Sequence, residues 1–298
     1  MTADYTKPPL TYAGQVALLQ SRGLAVNSTD DAIQFLHHVN YYRFSAYCIP
    51  FQKIRDVFLP GATFEKTEEL YLLDEDLRNT LLALLSPIEV FFRTRIVYEL
   101  SHGWGAFSHY APALFRDKPQ HAEWMASLEK EITRGKETFL EHYKVRYNGF
   151  PQLPLWMACE IMSMGSLSLL YSNLLPDPQR RICSILEIHH NVFRTWMHVI
   201  TYLRNTCAHH GRLWNREFAI RPLIPDKDKQ WAILGLDNKH LFASVAVAEW
   251  ICHKVQLPTC NVETVHEVMR RIAAIDARFA GMMGVPGGRT IGLCWETK

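Results

Sequence analysis

The chain has 298 residues, of which 48% are hydrophobic and 21% charged, so composition excludes a disordered protein and allows one large domain or two ordinary ones. The formal net charge of +2 is too weak to indicate nucleic-acid binding by itself. Seven cysteines with no CxxC pair, and no signal peptide before them, predict reduced thiols in the cytoplasm.

Residues 1–60 predict a separate N-terminal helical segment. A short amphipathic pattern at 12–22 ends at Gly23, a residue suited to closing a helix. Capping residues at 27–29 predict a second helix that runs to about residue 39. Residues 40–61 are rich in aromatic side chains and contain two prolines, so we expect irregular structure there.

Residues 61–298 predict a helical domain. Leucines repeat at steps of three or four from Leu70 to Leu84, and Pro87 is expected to kink or split this helix. Residues 121–147 predict a charged surface helix with a break near Gly135.

One long apolar run, 153–175, tests a membrane interpretation. Serines, an asparagine and a glycine dilute it, so we expect a single buried core helix and no membrane span. Further helices are predicted at 178–188, 191–209, 241–256 and 264–280. No stretch shows sustained alternation of period two, and the predicted class is all-α.

The helix predicted at 191–209 contains the candidate functional residues. On an ideal helical wheel one half is apolar, and the other half is polar. The apolar half contains Val192, Phe193, Trp196, Met197, Val199, Ile200, Leu203, Cys207 and Ala208. The polar half contains Arg194, Thr195, His198, Thr201, Tyr202, Asn205, Thr206 and His209.

Arg204 departs from this pattern because it lies at the border of the apolar face. A guanidinium there calls for an anion, which is either a phosphate or an internal carboxylate such as Glu89 or Glu160. A guanidinium beside an imidazole is the set that metal-free RNA cleavage needs. However, Arg204 and His209 lie about 140° apart on an ideal helix, so they converge only if the helix end unwinds or a second copy completes the site.

The segment RNTCAHHGRLWNR at 204–216 resembles the signature of the Abi-like (AbiD/AbiF) abortive-infection proteins of bacterial phage defence. Further blocks resemble the same family in the same order. These blocks are NYYRFSAY at 40–47, GATFE at 61–65, LY at 70–71, residues 74–78, IE followed by Arg93, and LPLWM at 153–157. The resemblance therefore extends over most of the chain.

That family is similar to the HEPN ribonucleases, whose mark is an Arg, a polar residue and a His four to six positions on. The resemblance implies a HEPN-like helical bundle, a homodimer with a composite site, and Arg204, Asn205 and His209 as its catalytic residues. It also implies RNA as a partner, including a small non-coding RNA. The candidate RNA-binding residues are Arg43, Arg93, Arg95, His210, Arg212, Arg216 and Trp214, with Tyr42 as a second stacking aromatic.

Structural roles compete with these assignments. Glu89 and Arg93 are four residues apart and pair on a helix, and Trp214 is of a type that often lies in a core.

Three hypotheses remain. The first is a metal-independent endoribonuclease that forms a 2′,3′-cyclic phosphate. The second is a non-catalytic module that holds a small RNA. The third is a zinc site, although the spacing of the histidines and Cys207 matches no usual zinc pattern. No nucleotide-binding loop, HExxH or GxSxG motif occurs, and no cofactor is expected.

Overall fold

The structure is a computed structural model that describes residues 4, 6, 8–225, 227–292 and 294–295. Helices account for 65% of it and strands for 3%, which confirms the predicted all-α class. The helices are α1 (Tyr12–Ser21), α2 (Thr29–His38), α3 (Tyr41–Cys48), α4 (Phe64–Trp104), α5 (Lys118–Arg134), α6 (Thr138–Arg146), α7 (Leu155–Ile161), α8 (Met164–Asn173), α9 (Pro176–Cys183), α10 (His190–Ala208), α11 (Lys229–Ala232), α12 (Leu241–Lys254), α13 (Val262–Ile275) and α14 (Phe279–Met282).

The chain divides into two compact units. The first comprises Met1–Asp76 with Arg271–Ala277, and the second comprises Leu77–Arg270 with Arg278–Lys298. The domain boundary predicted after residue 60 stays a prediction, because compactness alone does not show which segment folds independently.

Side-chain caps define the helices of the first unit. Thr11 accepts a hydrogen bond from the N–H of Gly14 at the start of α1, and Ser28 accepts one from Asp31 at the start of α2. The expectation of irregular structure over 40–61 is wrong. Asn40 caps α3 there, and a short antiparallel hairpin follows, made of β1 (Gln52–Ile54) and β2 (Val57–Phe58).

The two predicted helix breakers, Pro87 and Gly135, have different effects. Helix α4 runs through Pro87 as one helix, so of the two effects predicted there, a kink or a split, the split is wrong. The buried neighbours Leu84, Leu85 and Ile88 surround that point, and their packing offsets the lost backbone hydrogen bond. Gly135, in contrast, ends α5 as the sequence predicted.

The apolar run at 153–175 is two helices, α7 and α8, and the prediction of a single helix is wrong. Ser163 separates them because its hydroxyl caps the N–H of Ser166 and so starts a new helix. Both helices contribute buried side chains, such as Leu155 and Leu167. Within the described ranges, no helix combines the length and the apolar character that crossing a bilayer requires.

Helix α10 lies at the centre of the second unit, where it contacts α8, α9 and α12. Aromatic contacts anchor its first half. The ring of Phe193 packs edge-on against Phe92 at 5.1 Å and against Tyr171 at 5.0 Å, and Trp196 packs against Trp231 at 5.2 Å. The helix is therefore held rigidly from its N-terminal end.

The last helices hold the C-terminal segment. The N–H groups of Cys294 and Trp295 donate hydrogen bonds to Oε1 of Glu249, at 2.6 and 3.0 Å. Cys252 and Cys260 form a disulfide, so the prediction of reduced thiols is wrong for this pair. The turn after α12 brings their Cα atoms to 6.0 Å, which a spacing of eight residues does not reveal.

Glu249 and His266 form a buried acid–base pair, with Oε2 of Glu249 3.8 Å from Nε2 of His266. Burial raises the pKa of Glu249 to about 7 and lowers the pKa of His266 to about 4. Both groups are therefore neutral between these two pH values, and their contact there is not an ion pair.

Replacing Glu249 by glutamine should change how the free energy of unfolding depends on pH, because only the opposite contribution of His266 then remains. The raised pKa of Glu249 stabilises the folded state at acid pH, and this stabilisation is lost as the pH rises from about 4.5 to about 7. The lowered pKa of His266 stabilises it above about pH 6.5, and this is lost as the pH falls towards 4. In the native chain the two offset each other.

Urea unfolding at pH 7.5 and pH 4.5 measures this effect. Glu249→Gln should show about 3 kcal/mol less stabilisation on acidification than the native chain, because a shift of one pKa unit corresponds to about 1.4 kcal/mol. Glu160→Gln, at an exposed position of α7, is the control and should follow the native chain. Parallel pH curves for Glu249→Gln and the native chain would contradict the prediction.

Candidate functional site at the end of helix α10

The two faces of α10 are largely those that the wheel predicted. The buried residues of its apolar half are Phe193, Trp196, Met197, Val199, Ile200, Leu203 and Cys207. Three positions differ: Thr201 is buried, Val192 is half-buried and Ala208 is exposed. The hydroxyl of Thr201 donates to the carbonyl of Met197 at 2.7 Å, which allows burial at low cost.

The C-terminal end of α10 closes in a Schellman motif. The N–H of Gly211 donates to the carbonyl of Thr206 at 2.8 Å, and the N–H of His210 donates to that of Cys207 at 3.0 Å. His210 takes the left-handed conformation that the motif requires, with φ of 55°. The helix therefore ends at Ala208, with His209 as its C-cap. The side chain of His209 is exposed and makes no hydrogen bond within the described part of the chain.

Gly211 should be essential to this turn. A Cβ at this position would lie 2.8 Å from Cγ2 of Thr206 and 3.1 Å from its carbonyl oxygen. Thr206 cannot rotate freely, since its hydroxyl donates to the carbonyl of Tyr202 at 2.8 Å. We expect Gly211→Ala to lower the free energy of unfolding by about 1–3 kcal/mol, as overpacking does.

Chemical denaturation of the purified variants measures this loss. Gly165→Ala is the matched control, because a Cβ there meets its nearest atom, Oγ of Ser163, at an ordinary 3.6 Å. Equal stability of the two variants would show that the turn can relax around a methyl group.

Arg204 is held at the border between the two faces of α10. Its Nε lies 3.4 Å from Oε2 of Glu89 on α4, and its Nη1 donates to Oδ1 of Asn205 at 3.3 Å. The Arg204 side chain is still 42% exposed. Of the two acids that the sequence offered as partners, the structure pairs Arg204 with Glu89, and the guanidinium keeps an open side towards solvent.

Glu89 serves two guanidinium groups at once. Its Oε1 accepts from Nη2 of Arg93 at 2.6 Å, while Nη1 of Arg93 donates to the carbonyl of Cys159 on α7. One carboxylate between two arginines leaves a net positive charge at this point. The side chain of Arg93 is only 17% exposed, so it supports Glu89 and α7 better than it could contact a phosphate.

Three of the other candidate RNA-binding residues are buried, paired or located on another helix. Trp214 is fully buried with its ring 4.7 Å from that of Phe279, so it is a core residue, and its assignment as a base-stacking residue is wrong. Arg95 is paired with Glu99 at 2.6 Å and is 17% exposed. Arg43 lies on α3, in the first unit.

The segment after α10 returns along the polar face of that helix. The N–H of Leu223 donates to the hydroxyl of Thr195 at 3.0 Å, which ties the segment to the first half of α10. Arg216 donates to the Tyr202 hydroxyl at 2.7 Å, and its guanidinium lies over the Tyr202 ring and over the Phe218 ring, 5.7 and 5.9 Å from their centroids. A second arginine is thus fixed beside the stripe that ends at His209. Of the other candidates, Arg212 lies on this segment, half-buried, and His210 is exposed at the turn.

The sequence segment 189–216 carries charge of one sign only, although Glu89 of α4 faces its Arg204. Residues 189–216 contain four Arg and five His and no Asp or Glu, in a chain whose formal charge is only +2. Several of these side chains are exposed or half-exposed: His189, Arg194, His198, Arg204, His209, His210, Arg212 and Arg216. This acid-free stretch is a signal for an anion site that motif reading alone does not use.

A metal site is not formed by these histidines. Across the residues that the structure describes, no group of three or more His, Cys, Asp or Glu side chains is placed to hold a metal ion. Arg, Asn and His at the end of α10 instead offer hydrogen-bond donors and one titratable imidazole.

Comparison with known families identifies the chain. The family described as Abi-like protein matches residues 34–215, which is more than half of the chain and includes Glu89 and all of α10. The chain belongs to the Abi-like family. No curated protein and no solved structure gives a significant match. Membership implies a role in abortive-infection phage defence, and it confirms the resemblance that the sequence blocks indicated.

Proposed function

We propose that this Abi-like protein is a metal-independent endoribonuclease of phage defence, with a HEPN-type site made of Arg204, Asn205 and His209. One observation carries the proposal. The half-exposed guanidinium and the exposed imidazole lie at the end of one rigid helix, within a segment that contains no acidic residue. Such a surface favours a polyanion and offers it a proton-transfer group.

The chemistry requires one nucleophile and two proton transfers. The ribose 2′-oxygen attacks phosphorus and loses its proton to a base, while the P–O5′ bond breaks and the 5′-oxygen gains a proton from an acid. The products are a 2′,3′-cyclic phosphate and a 5′-hydroxyl. Arg204 would stabilise the negative charge of the phosphorane, and His209 would serve as the base or the acid.

A second copy of the chain would complete this site. One copy contributes a single His209, whereas attack and departure each need a proton-transfer group. Arg204 and His209 also point about 140° apart on an ideal helix, and the Schellman turn ends α10 without unwinding it earlier. A homodimer with both His209 side chains at one phosphodiester satisfies both requirements.

The proposal is tested by incubating the purified chain with a single-stranded RNA oligonucleotide in excess EDTA. We expect cleavage to products that end in a 2′,3′-cyclic phosphate, and no cleavage of the same oligonucleotide with 2′-O-methyl groups at every ribose. Cleavage of the methylated oligonucleotide, or activity that disappears with EDTA, would contradict the mechanism. Complete inactivity, also in the presence of co-purified RNA, would contradict the function.

A second function is favoured by the contact between Arg204 and Glu89. A guanidinium that is already paired with a carboxylate can bind a phosphate without taking part in its cleavage. The protein would then be a non-catalytic module that holds a small non-coding RNA. RNA bound tightly by the purified protein and never cut would select this alternative.

A further inference from the structure

A cavity of about 530 Å³ lies between α5 and α8 in the second unit and opens to solvent. Its volume is in the range typical of sites that bind a ligand. The residues that line it include neither Arg204, Asn205 nor His209, so the proposed catalytic site does not account for it. This α5–α8 cavity therefore needs an explanation of its own.

The charge of the α5–α8 cavity is negative. Among the described residues that line it are two acids, Glu123 and Glu131, and no Lys or Arg. Both acids are exposed on α5 and lie eight residues apart, which is about 12 Å along a helix. Neither carboxylate forms an ion pair within the described part of the chain. Two unpaired carboxylates on one wall favour a cation in the cavity.

Two of the N–H donors that line the cavity are already used inside the protein. Nε1 of Trp124 donates to the carbonyl and to the hydroxyl of Ser166, at 3.0 and 2.9 Å. Nδ2 of Asn173 donates to the carbonyl of Asp117 at 2.7 Å. A ligand that donates hydrogen bonds therefore finds more partners in this cavity than a ligand that accepts them.

His121 adds a buried acceptor to the lining. The residue is only 4% exposed, and its ring lines the cavity. Nε2 lies 2.8 Å from the carbonyl oxygen of His109, which can only accept, so Nε2 carries the proton and Nδ1 of the neutral ring is an acceptor. Nδ1 has no hydrogen-bond partner among the described residues. A buried acceptor without a partner costs free energy, and a donor bound in the cavity would remove that cost.

Aromatic rings that lie nearly parallel to one another form the floor of the cavity. The ring of Phe115 stacks on that of His121 with 3.9 Å between centroids and 19° between planes. The ring of Trp124 lies 6.2 Å from that of His121, at 25°. A guanidinium is planar, stacks on aromatic faces and carries five N–H donors, whereas an ammonium is compact and strongly hydrated. The lining therefore favours arginine over lysine.

We propose that the α5–α8 cavity binds an arginine side chain that a partner protein presents on a short peptide segment. The guanidinium stacks on the ring floor and donates to Nδ1 of His121 and to Glu123 or Glu131. Leu169 lines the same cavity and is 53% exposed, so it offers an apolar contact to a neighbouring side chain of the segment. A small free cation would leave this apolar surface in water. The binding is measured without reference to RNA cleavage.

Fluorescence anisotropy of a labelled Gly-Leu-Arg-Leu-Gly peptide, titrated with the full-length chain, tests the proposal. We expect saturable binding, about tenfold tighter than that of the same peptide with citrulline or lysine in place of arginine. Citrulline keeps the shape without the charge, and lysine keeps the charge without the planar group. Equal affinity for either peptide, or no saturation at millimolar protein, would overturn the proposal. Displacement by spermidine at a lower concentration than by unlabelled arginine peptide would overturn the choice of a peptide.

Two pairs of variants locate the binding in this cavity. Ser127→Phe places an aromatic ring in the cavity and should abolish binding, whereas Ala126→Phe, at the exposed position before it and outside the cavity, should bind like the native chain. Glu123→Gln should weaken binding about fivefold, as loss of a partly exposed ion pair does. Glu129→Gln, on the same helix but outside the cavity, should not. With helical circular dichroism equal to that of the native chain, unchanged binding by either cavity variant, or an equal loss in its control, would overturn the proposal.

Discussion

Replacing His209 by alanine is expected to lower the rate of RNA cleavage by about 10²–10⁴-fold, the range typical for loss of a general acid or base. The variant should stay folded, because the exposed imidazole makes no contact that holds the fold. RNA affinity should then change no more than a few-fold. Single-turnover cleavage measures the rate, and filter binding to a 2′-O-methyl oligonucleotide measures the affinity.

Two neighbouring histidines make this prediction specific. His198 is exposed on the polar stripe of α10 three turns earlier, so His198→Ala controls for the loss of any surface imidazole. His210→Gly keeps the left-handed backbone at φ of 55° and removes only the side chain. Both should retain most of the activity. If His210→Gly is the inactive variant, the catalytic histidine is one residue later than proposed.

Replacing Arg204 by glutamine should lower cleavage by about 10²–10³-fold, which is the typical cost of removing one preorganised donor to a developing oxyanion. Glutamine keeps much of the length and polarity of the side chain but removes the permanent charge. The measurement is again the single-turnover rate, with thermal unfolding in parallel to confirm that the variant is folded.

The partner variant Glu89→Gln separates catalysis from structure. If Arg204 were only half of an internal ion pair, removing either partner should damage the protein equally. If Arg204 contacts phosphate, Glu89→Gln retains the guanidinium of Arg204 with its positive charge and should retain most of the cleavage, although the amide offers one acceptor oxygen where the carboxylate offers two. Equal loss of activity in both variants, with equal loss of stability, would refute the catalytic role of Arg204.

Local patterns predicted the helices whose signals are short-range. Among the capping residues predicted at 27–29, Ser28 caps α2, and Gly135 ends α5. The faces of α10 followed from periodicity because a helix with mostly buried neighbours must place its apolar residues on one side. The same periodicity placed Asn205 and His209 on the polar face and Arg204 at its border, and the family resemblance implied their catalytic role.

The errors arose where packing outweighs a local preference. The apolar run at 153–175 contains Ser163. A serine can lie within a helix or cap the start of a new one, and the packing around Ser163 favours the cap. Pro87 could have split α4, but buried side chains on both sides, Leu84 and Leu85 before it and Ile88 after it, hold the helix together. Trp214 follows the motif directly, yet its indole is in the core, because adjacency in sequence does not determine which way a large aromatic side chain turns.

Residue order by itself determined that the chain is all-helical, that it is Abi-like, and that Arg, Asn and His share the end of one helix. These properties depend on periodicity and on contiguous motifs. Only the tertiary structure decided that Arg204 pairs with Glu89 of α4 and not with Glu160, that Cys252 meets Cys260, and that Trp214 lies in the core. The physical reason is that each of these depends on which surfaces become neighbours when helices pack, and no spacing along the chain encodes such a distance.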